Sequence, residues 1–327
     1  MRAAVIERHG GAPALVDRPS PAGLDGHALV TTTAAPITPL DVLCATGTSY
    51  FGPPALPYVP GVQGVGVVAQ GSSLPGGTRV WFPTSAGMRP GDGSMAQQVV
   101  VPESELVALP EQVEDTLVAA LGLSAIAAWM ALTWKAGLRP GEQVLVLGGG
   151  SVVGQVAIQA AQLCGARRVV AACRSADARD RAGACGADAV VHLSDDDEVD
   201  GLAAGLAAAC DGDVDVVIDP LCGVPASAAL RLLAPGARFV NLGSSAGESA
   251  TFASATIRSR SAAILGYTNN EIDTVRKGEA LTALLAHAAT GQLTVAHEVV
   301  PLGQLPDAWD RQAEGRAKRR LVVDLTR

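Results

Sequence analysis

The chain reads as an α/β protein: a doubly wound parallel sheet covered by helices on both faces, joined to a β-rich region of short strands. Three observations predict this. First, the apolar run Gln143–Leu147 leads into Gly148-Gly149-Gly150-Ser151-Val152-Val153-Gly154, an apolar helical run from Gln155 to Cys164, and a second apolar run ending at Cys173. That order is strand, tight turn, helix, strand, the repeating unit of a parallel sheet. Second, helical stretches keep alternating with apolar runs from about Val118 onward, and runs without polar alternation suit strands covered on both faces. Third, the residues before Val118 carry short apolar runs separated by Gly and Pro, the pattern of a β-rich region.

Taken in order, Met1–Glu7, His27–Thr33, Val62–Ala69, Arg79–Phe82 and Gln97–Val101 are the expected strands of the first part. Pro36, Pro39, Pro53, Pro54, Pro57 and Pro60 crowd the gap between the second and third of them, so that connection is expected to be irregular loop and short helix. Leu117–Trp134 has no charge and approaches spanning length, but it holds Gly122, Ser124 and Thr133 and reads as a buried helical segment. Strands follow at Val144–Leu147, Val169–Ala172, Ala189–His192, Val214–Asp219, Arg238–Leu242 and Ser261–Gly266, with helices near Asp177–Cys185, Val199–Cys210 and Pro225–Leu233. The tail offers a helix at Gly278–Thr290, a short one near Pro306–Gln312, and a closing strand at Arg320–Leu325. Asp195-Asp196-Asp197-Glu198 reads as a solvated loop, and the basic residues Arg316, Lys318, Arg319 and Arg320 as the turn before the last strand.

Composition narrows the classes of function. A chain of 327 residues with 48% hydrophobic and 17% charged residues is globular and long enough for two domains. A net charge of −8 argues against a nucleic-acid partner. The six cysteines stand singly and the five histidines form no spaced set, so neither a disulfide framework nor a zinc knuckle is expected. Met1 leads straight into Ala3-Ala4-Val5-Ile6 with no leader pattern, and a cytoplasmic protein without a membrane span is expected.

The glycine turn carries chemistry. Glycines let the backbone approach a pyrophosphate without a Cβ in the way, and the following helix meets it with free N–H groups and the positive end of its dipole. Gly148, Gly149, Gly150, Ser151, Val152, Val153 and Gly154 are therefore the candidate cradle for a dinucleotide, although Ser151 stands where the middle glycine usually falls. Binders of NAD place Asp or Glu at the end of the second strand to accept from the ribose hydroxyls. Here that position is Cys173, followed by Arg174 and Ser175, which suit a 2′-phosphate and favour NADPH. The alternative is that Arg174 is an ordinary surface arginine, with Arg179 a nearby substitute.

Along nearly its full length the chain resembles the medium-chain dehydrogenase/reductase superfamily, and within it the zinc-independent quinone oxidoreductases. The resemblance is carried by Arg8-His9-Gly10-Gly11-Ala12-Pro13, Thr38-Pro39-Leu40-Asp41, Val59-Pro60-Gly61-Val62-Gln63-Gly64-Val65-Gly66, Leu123-Ser124-Ala125, the glycine turn, Asp213–Asp219, Leu233–Arg238 and Gly315–Val323. It implies a GroES-like substrate domain at 1–117, a Rossmann NADP-binding domain at 118–265, and a return to the substrate domain at 266–327, with the cofactor in the cleft between. It also implies a homodimer paired through the strand at Ala262–Gly266.

By the same resemblance, the zinc ligands of the alcohol dehydrogenase branch would fall at Thr38, Val62 and near Ala120. A hydroxyl, an isopropyl and a methyl group cannot hold zinc, and Phe82–Ala96 lacks the four-cysteine lobe. No metal is expected, and a conjugated acceptor suits a site without a Lewis acid, because its own π-system spreads the charge that hydride creates. Leu242-Gly243-Ser244 would lie beside the nicotinamide half. Ser124 would bond the carboxamide or its own helix backbone. Thr38 replaces a common Asn. Tyr50 would donate to a substrate carbonyl or simply pack on the substrate. Gly243-Ser244-Ser245-Ala246-Gly247 also matches a hydrolase nucleophile elbow, but that motif needs a helix straight after it and a His/acid pair. The expected activity is hydride transfer from NADPH to a quinone or other small conjugated carbonyl. An enoyl or alkenal reductase, such as one that tailors a natural product, is the alternative within the enzymes, and a non-catalytic NADPH-binding scaffold or sensor the alternative outside them.

Overall fold

The short apolar runs of the first third of the chain become a mostly antiparallel sheet. In the computed structural model, which describes residues 1–327, β1 (Arg2–Val5) pairs with β2 (Ala14–Asp17). A larger sheet contains β3 (His27–Ile37), β4 (Gln63–Gln70), β5 (Arg79–Pro83), β6 (Gln98–Pro102) and β7 (Val107–Ala108), with helix α1 (Pro39–Thr46) between β3 and β4. β3 runs further than the sequence predicts and includes Pro36. The ladder to β4 ends at Ala34, so Pro36 has one strand partner rather than two and its missing N–H is tolerated.

Helix α2 (Asp115–Met130) leaves helical geometry at Gly122 (φ 35°, ψ −134°) and ends in a π-helical turn at Ala131–Lys135. Asp115–Lys135 is long and apolar enough to cross a membrane, but most of it is buried inside the protein, as a core helix is. Then follow β8 (Gln143–Leu147), α3 (Val152–Leu163), β9 (Arg168–Cys173), α4 (Ala176–Ala184), β10 (Ala189–His192), α5 (Val199–Ala209), β11 (Val214–Asp219), α6 (Gly223–Ala229), β12 (Leu233–Asn241), α7 (Ser254–Arg260), β13 (Ala263–Gly266) and α8 (Thr274–Ala289). The six strands are parallel in the order β10-β9-β8-β11-β12-β13. The winding reverses between β8 and β11, and ligands of such sheets bind outside the carboxyl ends of the strands at that reversal. Every residue of β8 is buried, in accord with its unbroken apolar run.

The chain closes with β14 (His297–Pro301), α9 (Leu305–Ala313) and β15 (Arg320–Asp324), and β15 lies between β14 and β3. Arg320 is not part of a surface turn. It is a buried residue of β15 whose Nη1 donates to the Ile37 carbonyl at 2.9 Å.

Contacts gather the chain into two units, Met1–Leu123 with Val295–Arg327, and Ser124–Thr294. The divisions fall later than the expected 117/118 and 265/266. α8 lies in the second unit because Leu281, Leu284 and Leu285 are buried there, and because the Gln159 amide bonds both the N–H and the C=O of Thr294. In the first unit Ile6, Ile37, Met95, Trp309 and Leu321 centre one core, and Val30, Val80, Phe82 and Val99 a second. Burying each large side chain is worth roughly 1.5–3 kcal/mol.

Candidate functional site

The turn after β8 is built so that only small residues fit its upper half. Gly148 has φ 68°, a left-handed conformation that turns the chain back over the strand end. A Cβ on Gly150 would meet the Cα of Ala178 on α4 at 2.7 Å, so glycine is what lets the turn lie against that helix. The Gly149 N–H reaches the Ala172 carbonyl at 3.2 Å. Ser151 is extended (φ −73°, ψ 167°), and its Oγ accepts from the Gly154 N–H at 3.1 Å. The departure from the glycine pattern is therefore an N-cap, which satisfies one of the first orphan donors of α3. The N–H groups of Val152 and Val153 have no intrahelical acceptor and carry the positive end of the helix dipole. This cradle, free of side chains where it must be and rich in donors, fits a dinucleotide pyrophosphate.

At the end of β9 the Cys173 side chain is buried, with its sulfur turned toward the N–H groups of Gly150 and Gly149. Burial pushes its thiol up, and those donors and Arg181 oppose the shift. The residue is turned in under the glycine turn, and no carboxylate stands at the place where a ribose acceptor is expected. Arg174 is exposed and lies 3.6 Å from Asp195. Ser175 caps α4 by accepting from the Ala178 N–H at 3.2 Å, which leaves its hydroxyl proton available to an anion. Arg179 Nη1 donates to the Arg174 carbonyl at 3.2 Å.

The loops after β11 and β12 are tied by a pair that sequence reading did not single out. Asp219 is fully buried, and its Oδ1 accepts from the N–H groups of Leu221 and Cys222 at 2.9 and 2.8 Å. Its Oδ2 accepts from Asn241 Nδ2 at 2.8 Å, and the same amide reaches the Gly243 carbonyl at 2.9 Å. Leu242 N–H bonds the Asp219 carbonyl at 2.9 Å. Burial raises the Asp219 carboxyl, while Asn241 and the two amides lower it. Cys222 sits at φ 56°, ψ −155°, a region that side chains avoid. Ser244 spends its hydroxyl on Glu248 at 2.8 Å. Coil follows it rather than a helix, so the nucleophile-elbow match has no structural counterpart.

In the first unit Thr38 is buried, and its hydroxyl is consumed by a capping box at the start of α1. Its Oγ1 donates to Asp41 Oδ2 at 2.6 Å and accepts from the Asp41 N–H at 3.2 Å. The other Asp41 oxygen takes the N–H groups of Gly61 and Val62 at 3.1 and 2.8 Å. Val62 and Ala120 are buried apolar side chains, and no group of three or more His, Cys, Asp or Glu side chains is arranged so that it could hold a metal ion. Gln63 is buried, and its Oε1 accepts from Trp81 Nε1 at 3.0 Å and from the Leu123 N–H at 2.7 Å. A neutral amide thus stands inside the sheet with two donors on its oxygen. Ser124 is a half-buried residue of α2, and Tyr50 is 78% exposed with its ring 4.2 Å from that of Phe51.

A doubly wound parallel sheet with this turn, in one chain with a β-rich unit, defines the nucleotide-dependent dehydrogenase and reductase class. The family described as zinc-binding dehydrogenase matches residues 152–285, and the alcohol dehydrogenase GroES-like domain matches residues 24–111. A quinone oxidoreductase of Lama guanicoe is 28% identical over 75% of this chain and 73% of its own. A phenolphthiocerol/phthiocerol polyketide synthase component of Mycobacterium tuberculosis is 29% identical over 67% of this chain, and the match spans 10% of that protein's length. The mitochondrial enoyl-[acyl-carrier-protein] reductase of Rattus norvegicus is 35% identical over 45% of this chain and 38% of its own. Among solved structures, the quinone oxidoreductase of Thermus thermophilus, solved also in complex with NADPH, superposes with a TM-score of 0.81 at 28% identity, covering 99% of this chain and 100% of that one. The chain belongs to the medium-chain dehydrogenase/reductase superfamily and is quinone oxidoreductase-like.

Proposed function

We propose that the chain is a zinc-independent, NADPH-dependent reductase that delivers hydride to a quinone or another conjugated carbonyl. The observation that carries this reading is the donor-rich turn at Gly148–Gly154 next to Arg174 and Ser175, with no carboxylate at the ribose position. NADPH, when bound, supplies the hydride. The chain's share is to hold and orient: the Val152 and Val153 amides for the pyrophosphate, Arg174 and Ser175 for the 2′-phosphate, and the Leu242–Ser244 loop, braced by Asp219 and Asn241, for the nicotinamide half. Tyr50 is the candidate proton donor to the substrate oxygen, with solvent as the alternative source. Thr38, Val62 and Ala120 offer no zinc ligand, so the reduction runs without a Lewis acid from those positions. We also infer a homodimer through β13, an edge strand whose Ile264 is 45% exposed.

Loss of reduced-nicotinamide absorbance with a simple quinone, then with an enone, tests the activity. Turnover of quinone supports this reading. Turnover of the enone alone favours an enoyl or alkenal reductase, which the likeness to the rat enoyl reductase supports. Nucleotide binding with no turnover of either leaves a cofactor-binding scaffold. Arg174→Ala should erase a preference for NADPH over NADH, and metal analysis should find no stoichiometric zinc.

A further inference from the structure

We infer that Asp195 is a specificity-setting residue that competes with the cofactor's 2′-phosphate for Arg174. This rests on the cofactor reading above and refines it. β9 and β10 are parallel neighbours with Cys173 beside His192, and the Leu193 N–H bonds the Cys173 carbonyl at 2.9 Å. The loops that leave these two strands therefore emerge side by side at one sheet edge. Arg174 begins one loop and Asp195 lies in the other, with Nη1 and Oδ1 3.6 Å apart.

The acidic loop is not loosely placed. Asp197 Oδ2 accepts from the Ser194 N–H at 2.8 Å, and Ser194 Oγ accepts from the Asp196 N–H at 3.3 Å. These bonds close the Ser194–Asp197 turn on itself and leave the Asp195 carboxylate pointing to solvent and to Arg174. On the other side, Arg179 holds the Arg174 carbonyl. The guanidinium that would receive a 2′-phosphate thus has a resident anion within ion-pair reach. A 2′-phosphate must displace Asp195 or share Arg174 with it, and Asp196, Asp197 and Glu198 add negative charge nearby. A cofactor with a free 2′-hydroxyl meets no such competition. The native chain consequently discriminates less between NADPH and NADH than Arg174 alone would dictate.

The test is calorimetric titration of NADPH and of NADH into the full chain, as wild type, Asp195→Asn, Arg174→Ala and the double variant. Both side chains are exposed, and exposed ion pairs are weak, so removing the competitor should tighten NADPH by about two- to five-fold at low salt. NADH affinity should hold. The gain should vanish in the Arg174→Ala background and shrink as salt screens the pair. An Asp195→Asn variant that binds NADPH no better, or that gains equally for NADH, overturns the inference and leaves the cofactor reading intact. A wild type that binds neither nucleotide overturns both.

Discussion

Cys222→Gly should stabilise the second unit, although it deletes a half-buried side chain. At φ 56° and ψ −155° Cys222 stands at the edge of a region occupied almost only by glycine. Holding a side chain there costs about 1–3 kcal/mol. The surroundings impose the conformation: Asp219 Oδ1 takes the N–H groups of both Leu221 and Cys222, and Gly223 follows with its own positive φ of 64°. Glycine at 222 relieves the strain but adds roughly 0.5–1 kcal/mol of backbone entropy to be lost on folding. The net gain is about 1 kcal/mol, or about 2–4 °C in Tm for a unit of this size. Differential scanning calorimetry reads the shift directly. Cys222→Ala keeps the Cβ and hence the strain, so it should show no gain. A glycine variant that melts below the alanine variant would refute the account, because the thiol's contacts would then outweigh the backbone cost.

Further outcomes follow from the same geometry. Asp41→Asn turns one carboxylate oxygen into an NH2 group facing backbone N–H donors, and should cost about 2–4 kcal/mol in urea denaturation, as expected when buried donors lose their partners. Gly150→Ala drives a methyl group into α4 and should weaken NADPH binding at least about tenfold in fluorescence titration, whereas Ser151→Gly, which trades a cap for the usual glycine, should change stability by only a few tenths of a kcal/mol. Burial holds the Asp219 carboxyl above its ordinary 3.8, so its contribution to stability is complete below about pH 4 and is lost as pH rises through the folded value. The stability of the wild type relative to Asp219→Asn, which does not titrate, should therefore fall as pH rises above about 4, and a flat or rising difference would contradict this. Tyr50→Phe should lower kcat for a carbonyl substrate with little change in nucleotide affinity if the phenol is the proton donor.

The parallel sheet was legible because most of its strands are short, β-branched apolar runs, and their length and flanking turn residues separate Val144–Leu147 or Val214–Asp219 from their helical neighbours. β2 and β14 were not legible. Ala14–Asp17 and His297–Pro301 are short and partly exposed, so neither alternation nor a continuous apolar run marks them. Pro36 hid the far end of β3, since a proline normally argues against a strand. The glycine cradle could be found from spacing, but its partners could not. Asp219 and Asn241 are 22 residues apart and meet only because β11 and β12 lie side by side. Arg174 and Asp195 meet for the same reason, at the β9–β10 edge of the sheet. The role of Gln63 was equally hidden, because Trp81 and the Leu123 amide that meet on its oxygen lie 18 and 60 residues away in the chain.

Ser151 bears on how such chains are recognised at all. The fingerprint prizes a missing side chain at that place, yet here the backbone takes an ordinary extended course and a hydroxyl serves the first turn of the helix. What the turn demands is a route for the main chain and a partner for one amide, and more than one residue type meets that demand. A search that insists on a glycine at that place would pass over turns of this kind.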